Sequence, residues 1–278
     1  MKSIKITSQF GHEIMSLNFA KALKRLVLIA PNKDNKEEYD IEARKIYDNM
    51  SPLYNNIEIV DFEYKEVAAW DIVNDLKNGK ITAEMWHDFA AETLELDAEN
   101  LPEYNALKGK QNVLVVPQKL ISDGKCGITA QQQSLPLEVF DFLKERTENF
   151  VLGQHFHKVN DLPIVEALAK EYNMYVPGMT ENPEVFGIRG VQHKLYYNMY
   201  KSLSASVGIA GTHTWIMLTM FPEIPQIILF NNKGVERWKE IEKAYQALGY
   251  KIFCIGFDEN TDMEQLSKEI QEKYELLF

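Results

Sequence analysis

The sequence predicts an α/β protein built on parallel sheets, and three observations carry that prediction. Short apolar runs that suit buried strands alternate with longer segments whose apolar residues recur at helical spacing. Turn residues punctuate the alternation: Pro31-Asn32, Pro117, Pro177-Gly178 and Gly211 each follow an apolar run. The stretch Ser204 to Phe230 also reads as strand, glycine turn, apolar helix and second buried strand, the repeating unit of a parallel sheet.

Taken in order, Ile4 and Ile6 alternate with polar neighbours in a first strand that stops at Ser8-Gln9-Phe10-Gly11. His12 to Leu26 reads as a helix, with Ile14, Leu17, Ala20 and Leu23 at three-residue steps. Leu26 to Ala30 is the second strand, a helix runs around Tyr39 to Asn49, and Ile57 to Phe62 is the third strand. Two helical patterns fill Val67 to Leu96, carrying Trp70, Ile72, Leu76, Met85, Trp86 and Phe89. Leu101 to Lys110, with Pro102 and Gly109, reads as a crossing segment.

A more regular series follows. Strands are expected at Val113 to Val116, Phe150 to Gly153, Met174 to Val176, Val207 to Ala210, Gln226 to Phe230 and Lys251 to Phe257. Helices are expected at Pro136 to Arg146, Leu162 to Tyr172, Val191 to Leu203, Trp215 to Phe221, Val235 to Leu248 and Met263 to Leu277. That alternation describes a doubly wound sheet, whose ligands bind beyond the carboxyl ends of the strands where strand order reverses. The reading is therefore two Rossmann-like domains, residues 1–108 and 109–278.

Composition narrows the function. The chain of 278 residues has a net charge of −11, which argues against broad binding to a nucleic-acid backbone. Cys126 and Cys254 match no metal-ligand spacing, and no apolar run reaches membrane-spanning length. The N-terminus lacks the apolar core of a signal peptide, so a cytoplasmic protein is expected. Neither half carries GxGxxG after its first strand, and GxxxxGK[ST] and GxSxG are absent. Nicotinamide and flavin dehydrogenases, P-loop enzymes and α/β-hydrolases are accordingly disfavoured.

At Gly211-Thr212-His213-Thr214 a strand gives way to a helix. Open backbone amides and the helix dipole at such a start favour an anion, and a phosphate suits that geometry. The structural alternative is that Gly211 makes a tight turn and Thr212 or Thr214 caps the helix. His155 and His157 sit at i, i+2 with no third ligand nearby, which favours a structural role. Tyr196, Tyr197, Tyr200 and Trp238 read as packing residues, and Glu236 as a cap or a contact for a sugar hydroxyl.

Three places resemble a GT-B glycosyltransferase, the class with two Rossmann-like domains and a cleft between them. Phe10-Gly11-His12-Glu13 leading into Leu17-Asn18-Phe19-Ala20-Lys21-Ala22-Leu23 is similar to the start of many acceptor domains of that class. The resemblance implies His12 as general base, with Glu13 as the alternative carboxylate; imidazole titrates near neutrality and suits that task. Val113 to Lys125 resembles the first strand and loop of the donor domain in heptosyltransferase-like enzymes, where a loop lysine meets donor phosphate. Lys125 falls at that place, and Lys119 is its competitor.

The Gly211 turn resembles the same family's pyrophosphate motif, Asp-x-Gly-Pro-x-His. Here it reads Ala210-Gly211-Thr212-His213-Thr214 after Ile209, without the aspartate and the proline and with the histidine displaced by one. The resemblance implies a phosphate cradle at Gly211, Thr212, His213 and Thr214. The nucleoside would then lie against the loop of Gly178 and Met179. Arg189, near the start of a helix, reads either as a partner for a phosphate or an acidic acceptor or as an ordinary surface ion pair. The expected activity is transfer of a sugar from a nucleoside-diphosphate sugar to a hydroxyl acceptor, with no cofactor and no metal. Alternatives on the same fold are a nucleotide-sugar 2-epimerase, a non-catalytic nucleotide-binding protein and a DNA-base glycosyltransferase.

Overall fold

The computed structural model describes residues 3–6, 20, 24–51, 54–66, 103–116, 135–153, 170–176, 192–232, 235–258 and 260–278. The chain divides into two compact units: Met1–Asn100 with Trp215–Met220, and Leu101–Thr214 with Phe221–Phe278.

The first unit contains a parallel three-stranded sheet in the order β1-β2-β3, from β1 (Ile4–Ile6), β2 (Val27–Ile29) and β3 (Ile57–Ile59). β3 is shorter than the expected run to Phe62, because the chain turns at Asp61 into a 3-10 turn over Phe62–Tyr64. Helix α1 (Lys36–Met50) links β2 to β3 and begins at Asn35, whose side chain accepts from the Glu38 amide at 2.8 Å. Tyr39 fastens α1 to the end of β3: its ring meets Phe62 edge-on, and its hydroxyl donates to the Val60 carbonyl. The expected helices over 12–26 and 67–96 fall largely outside the described residues.

The second unit holds a parallel five-stranded sheet in the order β5-β4-β6-β7-β8. Its strands are β4 (Asn112–Val116), β5 (Asn149–Leu152), β6 (Ala205–Ile209), β7 (Gln226–Asn231) and β8 (Ile252–Phe257). The expected strand at Met174 to Val176 is reduced to one parallel bridge, Val151 with Tyr175. Counted along this unit, the lateral order is 3-2-1-4-5-6, that of the doubly wound nucleotide-binding sheets.

Why these segments are strands is visible in their burial. β4 and β6 are covered on both faces, and apart from Asn112 at the start of β4 they read as unbroken apolar or small runs, as suits central parallel strands. One face packs Val113, Val115, Val207, Leu229 and Phe257 against α2 (Leu137–Lys144) and α6 (Met263–Glu275). The other described helices are α3 (Gln192–Lys201), α4 (Thr212–Met220) and α5 (Val235–Ala247), of which α5 packs on β7 and β8. None of these helices is long and apolar enough to cross a membrane.

The free edge of β8 is covered by one face of α5. Lys239 Nζ donates to the Cys254 carbonyl, Glu242 accepts from the Cys254 amide at 3.2 Å, and Gln246 donates to the Ile252 carbonyl at 2.8 Å. An unpaired strand edge is a template for aggregation, and these three side chains occupy it. Beside them burial, reinforced by the Glu242 charge, pushes the Cys254 thiol up to about 12, so it stays protonated at neutral pH.

One polar side chain holds the amino end of this sheet. Asn112 is fully buried at the start of β4. Its amide donates to the carbonyls of Leu107 (2.7 Å), Ser202 (2.9 Å) and Lys110 (3.2 Å), and its Oδ1 accepts from Asn149 at 2.9 Å. The segment Glu103–Lys110 is thereby tied to β4, with Tyr104 and Leu107 buried on the second unit.

Candidate functional site

The reversal of strand order falls between β5-β4 and β4-β6, so the ligand position of this sheet type lies at the carboxyl ends of β4 and β6. β6 ends at Ile209, Ala210 donates to the Leu229 carbonyl at 2.7 Å, and α4 starts at Thr212. The helix begins three residues before the expected Trp215, because the apolar run from Trp215 marks only the part that burial dictates. Gly211 to Thr214 therefore forms the last turn residue and first helical turn at the place where strand order reverses.

Gly211 occupies the N-cap position. Its amide donates to Thr214 Oγ1 at 3.1 Å, the reciprocal half of a capping box with threonine in the usual glutamate position. Glycine supplies no side-chain acceptor in return. The contrast with α1 and α6 is direct: Asn35 accepts from one first-turn amide, and Asp262 accepts from the amides of Glu264 (2.9 Å) and Gln265 (3.3 Å). The backbone amides of Thr212, His213 and Thr214 belong to the first turn of α4.

Gly211 is also required by neither backbone nor packing. It is not among the residues with positive φ, and among the described residues the nearest atom to an added Cβ is the Ile209 carbonyl at 3.9 Å. Gly208, three residues earlier and inside β6, differs: an added Cβ would lie 2.5 Å from Val116 Cβ and 2.6 Å from its amide nitrogen. A glycine that neither conformation nor neighbours demand leaves room for close approach to the backbone.

His213 and Thr214 are buried. The His213 ring turns inward, with Nδ1 at 2.5 Å from the hydroxyl of fully buried Tyr200 near the end of α3. Tyr200 in turn lies against Phe221, ring centres 5.8 Å apart. Of the residues singled out by sequence, the structure thus brings Gly211, Thr212, His213 and Thr214 together in one turn. His12, Glu13, Lys119, Lys125, Gly178, Met179 and Arg189 lie outside the described residues, as do His155 and His157. Glu236 stands exposed in the first turn of α5, and Trp238 is buried and stacked on Phe230 at 5.8 Å.

A second cluster at the carboxyl edge of the sheet has no counterpart in the sequence reading. Asp258 follows β8 and accepts from Asn232 Nδ2 at 2.7 Å and from the Asn260 amide at 2.9 Å. Its own amide donates to Thr261 Oγ1 at 2.8 Å. The Asn232 bond, followed by the Asn260 amide, holds the Asp258 carboxyl below the ordinary carboxylate range. Gly256 makes room for this staple, since an added Cβ would overlap Asn232 Oδ1.

A depressed folded-state pKa contributes stability that is present above the unfolded value, about 3.9, and lost as pH falls through the folded value. Asp258→Asn is expected to lower the urea midpoint at pH 6 and to match wild type more closely as pH drops below about 4. Equal midpoint differences at pH 6 and pH 3 contradict the assignment.

Among the described residues no group of three or more His, Cys, Asp or Glu side chains is placed to hold a metal ion. The chain matches no protein-family model, no curated protein and no solved structure.

Proposed function

We propose that this chain is a GT-B-type glycosyltransferase, moving a sugar from a nucleoside-diphosphate sugar to a hydroxyl acceptor without a metal. The observation that carries the reading is the Gly211 turn. A helix whose cap position holds a glycine that no described residue crowds stands at the point of strand-order reversal in a doubly wound sheet.

The donor diphosphate would lie on the first-turn amides of Thr212, His213 and Thr214, where the α4 dipole favours negative charge. Lys125 or Lys119, on the segment after β4, would add a point charge from the neighbouring strand, and Arg189 a further contact. Gly178 and Met179 would line the nucleoside. As the glycosidic bond to phosphate breaks, charge accumulates on the leaving diphosphate, and preorganised amides stabilise it more than they stabilise the bound donor. His12, or else Glu13, would take the acceptor hydroxyl proton as that oxygen attacks the anomeric carbon.

The test is a screen of nucleotide sugars for release of nucleoside diphosphate, with and without acceptors, run on wild type and His12→Ala. The expected result is release with one donor base, lost by about 10²-fold or more in the variant while affinity for the nucleoside diphosphate is kept. Release at the wild-type rate excludes His12 as the base. Turnover of donor without any acceptor, yielding an epimerised sugar nucleotide, replaces transfer by epimerisation.

A further inference from the structure

We infer that Tyr200 is a positioning residue for the diphosphate turn, acting through His213; the inference rests on the glycosyltransferase reading above.

The turn from Gly211 to Thr214 is braced from behind at two points. One brace is local: the Gly211 amide bonds Thr214 Oγ1 at 3.1 Å. The other crosses from α3: the Tyr200 hydroxyl meets His213 Nδ1 at 2.5 Å. His213 and Thr214 supply two of the first-turn amides, so both braces act on the residues that would hold the anion. A binding turn gains affinity when its geometry is fixed before the ligand arrives, because no ordering remains to be done on binding.

Tyr200 is suited to bracing because it is itself immobile. It is fully buried and its ring packs on Phe221 and on the His213 ring, with centres 5.8 Å away in each case. Immediately after it, the Ser202 carbonyl accepts from Asn112, and Ser204 donates back to the Asn112 carbonyl at 2.8 Å. The end of α3 is thus pinned to β4, and Tyr200 transfers that fixed position to the start of α4. Phenylalanine at this position keeps the ring contacts and loses the bond to the imidazole.

The test uses the full chain, Tyr200→Phe and His213→Phe, and the double variant. Inorganic pyrophosphate and a panel of nucleoside diphosphates serve as probes by calorimetry. Nitrogen NMR of labelled histidine and amide exchange of the first turn of α4 are read without ligand. Tyr200→Phe is expected to keep the far-UV spectrum, to accelerate exchange in that turn, and to weaken the bound probe by about tenfold. The double variant should weaken it no further than the stronger single one, since both break one bond.

In wild type, nitrogen NMR should show a single His213 tautomer, and Tyr200→Phe should shift its ring signals. Equal probe affinity in wild type and Tyr200→Phe, or unchanged exchange in the turn, overturns the positioning role and leaves the function standing. A wild-type protein that binds neither pyrophosphate nor any nucleoside diphosphate overturns the function, and the positioning role with it. Should Tyr200→Phe not fold, His213→Phe carries the same affinity comparison, and wild-type affinity in that variant overturns the inference.

Discussion

Gly208→Ala is expected to destabilise the protein by about 3 kcal/mol, because overpacking at a site that cannot relax reaches the upper end of its usual range. The added methyl would meet Val116 at Cβ, amide nitrogen and carbonyl oxygen, at 2.5, 2.6 and 2.7 Å. Two of those three atoms are backbone of the adjacent central strand, so no rotamer change relieves the contact. Relief requires β4 and β6 to part at their carboxyl ends. A loss of that size lowers Tm by roughly 6–12 °C in a unit of this size. The same movement would widen the place where strand order reverses, so nucleotide affinity should fall together with Tm. A melting temperature within about 2 °C of wild type would show that the two strands are not held at this separation.

Asn112→Ala has the next largest expected effect, about 3 kcal/mol, since buried groups left without partners cost about 1–3 kcal/mol each. Truncation removes the donor to the Leu107, Lys110 and Ser202 carbonyls and the acceptor for Asn149. The loss is expected to show in two ways. Urea unfolding should shift to a lower midpoint, and limited proteolysis should open the segment around Glu103–Lys110 that the side chain ties down. Wild-type stability with an unchanged cleavage pattern would mean that water takes over those bonds. Both substitutions act on the second unit, and neither touches a first-turn amide of α4.

Much of the second unit was legible because its strands are buried on both faces. Val113–Val116, Val207–Ala210 and Gln226–Phe230 read as short apolar runs, with Pro117 and Gly211 directly after the first two. Met174 to Val176 carried the same pattern and yet gave a single bridge at Tyr175. It lies at the sheet margin, where one neighbour is missing and composition no longer decides pairing. The start of α4 was misplaced because periodicity reports the buried face, whereas the cap and the first turn are fixed by backbone hydrogen bonds.

The bracing of the candidate site was not legible for a different reason. Tyr200 and His213 stand on separate helices, and a tyrosine at helical spacing among Tyr196 and Tyr197 reads as packing. Only the return of the chain through β6 brings the hydroxyl to the imidazole. Lys239, Glu242 and Gln246 drew no notice in the sequence, and the position of α5 beside an edge strand makes them its cover. Polar residues whose partners are distant in sequence leave no periodic trace, so pattern reading passes over them.

The central claim is that the turn at Gly211 receives the diphosphate of a nucleotide-sugar donor. A thermal-shift panel with UDP, GDP, ADP, dTDP and CMP and their sugar conjugates, run on wild type and Gly211→Val, tests it most directly. A ligand at 100 times its dissociation constant stabilises by about 2.7 kcal/mol, so one nucleoside diphosphate should raise the wild-type Tm by several degrees. Valine at 211 fills space that is open among the described residues, the nearest atom to its Cβ being 3.9 Å away. The variant should therefore fold, melt near the unliganded wild type and lose the ligand-induced shift. A panel flat for wild type, or an equal shift in both proteins, would contradict the claim and place the phosphate elsewhere or nowhere on this chain.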